Sequence, residues 1–218
     1  MSRDFGIVWD HADLLVEGLI NTVILSLAGA ALALMLGALL AILLMSRNRA
    51  VRIPFRGMVD LMRCVPFLML AYLVYYGLPS FGLNLDNWSA GMFTIVIYNT
   101  AYMAEIFRSV WSRLGRESLE AATAFGFQGP RLYIRIIFPQ IFLASGPLLG
   151  NQLIQIIKDS AFLTIIAVPE LTHAASSIQA QYFVPFAAFI VAVLIYWALC
   201  LLVEAGVFVV ERAAEARR

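Results

Sequence analysis

Glu120-Ala121-Ala122, followed by Gly126 and then by Ile136-Ile137-Phe138-Pro139, forms a polar, turn-bearing stretch between two long apolar segments. Ser118 to Ala124 reads as a short helix with Ser118 in a capping position. Gly126 supplies the positive φ that stops a helix. Gly129-Pro130 is a second breaker, and Pro130 suits the first position of the helix that follows. The spacing therefore predicts helix, tight turn, helix over residues 112–134, a compact knob instead of a loose loop. Glu120 is placed to accept hydrogen bonds from Arg116, Arg131 or Arg135. Phe125 and Phe127 flank Gly126 and put aromatic rings in a wet location, which points to a protein contact.

The chain around this stretch has 218 residues, 62% of them hydrophobic and 13% charged. Soluble domains are nearer half apolar and a quarter charged, so a chain of this length has lipid as its solvent. Apolar segments near 18–45, 57–80, 88–108, 135–168 and 182–210 each reach the ~20 residues needed to cross a bilayer core. The expected architecture is an all-α integral membrane domain over residues 1–218, with five transmembrane helices and the cytoplasmic helix-turn-helix between the third and fourth. Pro66, Pro139, Pro147 and Pro185 are expected kink points, since each removes a backbone donor. Gly29, Ala33 and Gly37 recur every four residues and mark a close helix contact, within the chain or with a partner subunit.

Arginines set the orientation. Arg47, Arg49, Arg52 and Arg56 follow the first segment; Arg108, Arg113, Arg116, Arg131 and Arg135 surround the Glu120 stretch; Arg212, Arg217 and Arg218 end the chain. The opposite side holds only Arg3, with Asp10, Asp13, Glu17, Asp86 and Glu170. The positive-inside rule puts the N-terminus outside and both the C-terminus and the Glu120 stretch in the cytoplasm. Asp4, Asp10, Asp13 and Glu17 ahead of the first apolar run argue against a secretory signal peptide.

Cys64 and Cys200 fall in apolar segments and read as buried, reduced thiols. There is no Cys-x-x-Cys or Cys/His ligand spacing. No phosphate-binding Gly-rich loop ending in Lys-Ser or Lys-Thr occurs, and the only lysine is Lys158, inside a span. The chain is expected to bind no ATP itself. His11 and His173 read as surface residues. Intramembrane charges are costly and so mark function or helix pairing. Lys158 and Asp159 in the fourth span suit a zwitterion, with the lysine toward a carboxylate and the aspartate toward an ammonium. Asn99 and Tyr102 on the third span are further candidates for the solute path. Glu105 with Arg108, and Asp60 with Arg63, have the i,i+3 spacing of structural ion pairs.

The Glu-Ala-Ala, Gly and Ile-x-Phe-Pro spacing resembles the EAA loop of permease subunits of bacterial ATP-driven importers. Further stretches look like the polar amino-acid uptake group of that family (histidine, glutamine, arginine and opine permeases). These are Gly18-Leu19-Ile20-Asn21-Thr22, Arg63-Cys64-Val65-Pro66, Tyr75-Tyr76-Gly77-Leu78-Pro79, Asn99 to Arg108 and Lys158-Asp159-Ser160, so the likeness runs from about residue 18 to 172. Where the family usually has Arg-Gly-Thr-Pro this chain has Arg63-Cys64-Val65-Pro66. Two and three places before the EAA glutamate stand Ser118 and Glu117, not Gln and Gly. Ser160-Ala161-Phe162 replaces Thr-Ser-Leu. The resemblance implies a non-catalytic permease of the bacterial inner membrane, paired with a second permease subunit. It also implies an ATP-binding cassette ATPase dimer and an extracytoplasmic solute-binding protein. Glu120, Ala121, Ala122, Gly126 and Pro139 would couple to the ATPase. No cofactor and no nucleic-acid partner is implied. The rival classes are a stand-alone secondary transporter or channel, which usually carries internal repeats not visible here, and a membrane enzyme, for which neither histidine has a partner.

Overall fold

The structure is a computed structural model that describes residues 2–113 and 116–215, and the described residues contain helices but no strand. In order these are α1 (Ser2–Asp10), α2 (Ala12–Leu44), α3 (Arg49–Cys64), α4 (Phe67–Tyr72), α5 (Asn87–Trp111), α6 (Arg116–Ala124), α7 (Pro130–Leu132), α8 (Phe138–Ser160), α9 (Leu171–Tyr182) and α10 (Pro185–Glu215). Three stretches are long and apolar enough to cross a membrane: Ala12–Leu44, Pro130–Ile166 and Pro185–Val209. A fourth exists if Arg49–Cys64 and Phe67–Phe81 count as one bent unit.

α5, the expected third span, falls short of that apolarity because it is the central helix. Thr94, Asn99 and Thr100 return their side-chain hydrogens to the carbonyls of Ala90, Ile95 and Val96 at 2.7, 2.8 and 2.7 Å. Polar residues so satisfied can be packed on by neighbouring helices. Asp86 caps the helix, accepting from Trp88 N and Ser89 N at 3.2 and 3.3 Å. Hydrogen bonds from Ser89, first its hydroxyl and then its backbone N–H, hold the Asp86 carboxyl below its ordinary range.

The small-residue stripe of α2 is spent on α5, not on a partner chain. A Cβ added at Gly29 would lie 2.5 Å from Ile95 Cγ2, and one at Gly37 would lie 2.5 Å from Met103 Cβ and 3.0 Å from Ala104 N. Ala33 between them is fully buried. Gly37→Val should therefore lower the melting temperature of the purified protein, at an overpacking cost of about 1–3 kcal/mol. An unchanged melt would show that α2 and α5 do not cross there.

The second expected span is two helices. α3 ends at Cys64, Val65 and Pro66 are extended, and the axis turns through 103° before α4. Proline bars the residue before it from helical ψ, which explains the break. α4 continues as a π turn over Leu73–Gly77 and a 3-10 turn over Leu78–Phe81. Pro185 interrupts nothing: it is the first residue of α10, where no donor is missed. Pro139 lies inside the continuous helical run Pro130–Ile166, where its absent N–H breaks the hydrogen-bond ladder. A π turn over Tyr133–Ile137 precedes Pro139. Pro147 lies within α8. At the exposed break Cys64 is uncovered, contrary to the buried thiol expected, and Cys200 is half-buried.

Residues 167–171 form a junction at the α9 end of the bundle. Asn21 donates to the Pro169 carbonyl at 2.7 Å, Leu171 N donates to Thr22 Oγ1 at 3.1 Å, and Asn87 donates to the Ala167 carbonyl at 3.2 Å. A Cβ at Gly18 would fall 2.9 Å from Leu171 Cα, so the helix and loop touch backbone to backbone. The fully buried Glu170 caps α9 through Thr172 N and His173 N at 2.8 and 2.7 Å and accepts the Tyr196 hydroxyl at 2.6 Å. Burial pushes its carboxyl above the ordinary range, against the pull of those hydrogen bonds. His11 is likewise structural: Nδ1 meets the Ile7 carbonyl at 2.9 Å and Nε2 the Tyr182 hydroxyl at 2.7 Å.

Candidate functional site

The helix that carries Glu120 runs from Arg116 to Ala124, so Ser118 lies inside it and not at its cap. Its end is closed by two crossed hydrogen bonds: Phe127 N donates to the Ala122 carbonyl and Gly126 N to the Thr123 carbonyl, each at 3.0 Å. This is a Schellman closure, which requires a left-handed residue at the turn. Gly126 supplies it, with φ of 82°. The three-residue gap between Ala122 and Gly126 is thus the distance from a helix's third-last residue to its left-handed stop. Ala122 is buried at the turn, while Glu120 and Ala121 are exposed. Gly129, with φ of 54°, then turns the chain into Pro130, the first residue of α7.

The knob stands on a packed base. Trp111 at the end of α5 is buried between the rings of Tyr133 and Phe138, 5.6 and 6.4 Å away. Ile137 and Ile141 complete that cluster with Phe107. The Ile-x-Phe-Pro end of the motif is therefore the mounting of the knob. Phe125 stands 84% exposed at its tip. Neither Arg131 nor Arg135 bonds Glu120 among the described residues, and the side chain of Arg116 lies outside them.

A second group lies along α5 and α8. Asn151, Gln155 and Lys158 recur at four and three residues and are all exposed on one side of α8. Asp159 is turned inward, 4% exposed, and accepts from Gln155 Nε2 at 2.8 Å. It lies within electrostatic reach of Tyr98. The Tyr98 hydroxyl is 3.2 Å from that of Tyr102, which also donates to the Arg63 carbonyl at 3.2 Å. Phe67 packs edge-on against Tyr98 at 5.2 Å and lies 6.4 Å from Phe162. Tyr98, Tyr102 and Asp159 thus lie toward one aromatic-lined face, while Lys158 is exposed on the adjacent side of α8.

Asn99, next to Tyr98 on α5, is enclosed between the helices. It is fully buried, donating to the Ile95 carbonyl and accepting from Gln152 Nε2 at 2.8 Å, a clamp between α5 and α8. Glu105 and Arg108 form the expected pair, bidentate at 2.7 Å. Asp60 pairs with Arg56 at 3.9 Å, not with Arg63, whose guanidinium reaches Glu105 at 3.9 Å. Sequence reasoning missed Asn151 and Gln155. Polar residues at helical spacing ahead of Lys158, within an apolar run, were the signal that pointed to them.

An all-helical bundle with membrane-length apolar helices, an exposed knob and a polar face within an apolar helix defines a polytopic transport protein. The chain belongs to the binding-protein-dependent transport system inner membrane component family, whose profile matches residues 33–215. It is similar to the probable glutamine ABC transporter permease protein GlnM of Bacillus subtilis, with 28% identity over 96% of this chain and 97% of that one. It is 30% identical to the histidine/lysine/arginine/ornithine transport system permease protein HisQ of Salmonella typhimurium, over 87% of this chain and 88% of that one. A chain from the crystal structure of an amino acid ABC transporter with histidines superposes with a TM-score of 0.87 and 28% identity, over 96% of this chain and 98% of that one. A chain of the inward-facing MetNI methionine ABC transporter shares the fold, with a TM-score of 0.81 at 15% identity over 92% and 96% of the two chains. This chain is accordingly a non-catalytic permease subunit of an ABC transport system, a multi-pass protein of the inner membrane.

Proposed function

We propose that this permease imports a polar amino acid or a closely related solute by alternating access, driven by ATP hydrolysed in a separate ATP-binding cassette dimer. The knob over residues 112–134 is the part the ATPase holds. The observation that carries this is the closed helix end at Gly126 on its Trp111 base, with Phe125 uncovered at the tip. A stiff projection transmits displacement; its apolar tip calls for a protein partner. The chain crosses the membrane five times, counting α5 and the bent α3–α4 unit as spans, with the N-terminus outside and the C-terminus in the cytoplasm. The arginines around the knob support that orientation.

The polar face of α8 supports a path shared with a second permease subunit, since Asn151, Gln155 and Lys158 are costly against lipid. Asp159 and Lys158 receive the charged ends of the solute, and Tyr98 and Tyr102 line its way. Asn99 holds α5 to α8 beside them. An extracytoplasmic binding protein delivers the solute. The relatives named for glutamine and for histidine, lysine, arginine and ornithine support the solute class. Affinity purification of the tagged chain from its native membrane should bring down a nucleotide-hydrolysing subunit that is lost on deleting residues 118–130. Recovery of no such subunit, or labelling of the knob from the outer face, would sink this reading.

A further inference from the structure

One cluster of charges lies outside the solute-facing set. Arg63, near the end of α3, meets Glu105 and Arg108 of α5 beside the α3–α4 break. Both Glu105 oxygens accept from Arg108, at 2.7 Å, and Oε1 also lies 3.9 Å from Arg63 Nη1. Arg63 is held to α5 twice more. Its carbonyl accepts the Tyr102 hydroxyl at 3.2 Å, and its guanidinium carbon lies 5.6 Å from the centroid of the Tyr102 ring. That carbonyl is among the last four of α3, which have no donor inside the helix.

Glu105 lies six residues before Trp111, about 9 Å inside the end of α5 at 1.5 Å per residue. Charge at such depth is expensive unless paired. Joining α3 to α5 does not need it, because Val59 already packs with Ala101 and Ala104. What the bridge adds is a charged hold beside the 103° break between α3 and α4.

We propose that the Arg63–Glu105 bridge is a latch that keeps this break folded against α5 and so narrows the knob-side end of the solute path below Tyr102. Arg63 and Glu105 are positioning residues, acting through Tyr102 and the break. Arg108 competes for the same carboxylate and weakens the latch. The inference rests on reading the α5–α8 face as the path, but its test does not use transport.

Cys64, exposed beside Arg63, takes a nitroxide label in a Cys200→Ser background of the full permease complex in nanodiscs. Glu105→Gln should raise the ratio of mobile to immobilised label by up to about fivefold, the range a partly exposed ion pair supports. Arg108→Gln should move the ratio the other way, because Glu105 then has Arg63 alone. A merely structural role predicts loosening in both. Opposite signs support the latch; the same sign in both, or no change in either, overturns it. Should Glu105→Gln fail to fold, Arg63→Gln takes its place with the same expected rise. If no ATPase subunit copurifies and the signs are still opposite, the latch stands and only the transport reading falls.

Discussion

Gly126→Pro is expected to cut solute uptake by about tenfold or more, while the protein still inserts into the membrane and the complex still hydrolyses ATP. Two independent features are lost at once. Proline is fixed near φ of −65°, whereas Gly126 sits at 82°. Proline also has no N–H, so the bond to the Thr123 carbonyl cannot form. The second crossed bond, from Phe127 N to the Ala122 carbonyl, depends on the same turn. With both gone the knob becomes a flexible segment, and the tie between nucleotide state and helix position weakens. Couplings between distant sites are typically worth 1–3 kcal/mol, so losing one means a five- to 150-fold change. The measurement is the ratio of transported solute to ATP hydrolysed in proteoliposomes. The trunk of the protein should survive, since Trp111, Ile137 and Phe138 pack without help from Gly126. A ratio equal to that of the unaltered protein would remove the knob from the mechanism. Gly126→Ala is the milder companion: it keeps the donor, suffers only from the positive φ, and should fall between the two.

Asp159→Asn is expected to raise the KM for uptake by roughly tenfold to a hundredfold, the range of 1.5–3 kcal/mol for a hydrogen bond to a charged group. The substitution preserves shape and keeps an oxygen that can accept from Gln155, so the fold is spared. On the proposed reading, what it removes is the negative charge that would face the solute's ammonium. Asn99→Leu is the control. It leaves Gln152 without its acceptor in a buried contact and should lower thermal stability by about 1–3 kcal/mol with KM unchanged. If Asp159→Asn leaves KM unmoved, Asp159 belongs with Asn99 as helix-to-helix adhesive.

The all-helical membrane fold and the turn at Gly126 were both legible in the residues. Apolar runs of span length and the pair of breakers at Gly126 and Gly129-Pro130 are local signals, and local signals survive folding. The angle at Pro66 was not legible. A proline bars a helix from continuing but does not set the direction in which the next one leaves; here packing of Phe67 and Leu70 decides it. The role of Asn99 was hidden for a related reason. A polar residue in a span can face a path or a neighbouring helix, and only the position of Gln152, more than fifty residues on, separates the two. Asp60 and Arg63 have a pairing spacing, but Arg56 and Glu105 lie better placed in space. Cys64 looked buried because its neighbours are apolar, and the break exposes it.

The junction at residues 167–171 has a mechanical consequence. α2, α5, α9 and α10 all bond into it or grow from it, through Asn21 and Thr22, Asn87, Glu170 and Tyr196. The knob is at the far end: Ala41, in the Trp111 cluster, lies 23 residues along α2 from Gly18, or ~35 Å at helical rise. One end of the bundle is tethered and the other is where a pull would arrive. If the knob is pulled as proposed, a body held in this way would turn about its tether like a pendulum, with the helices tilting around residues 167–171.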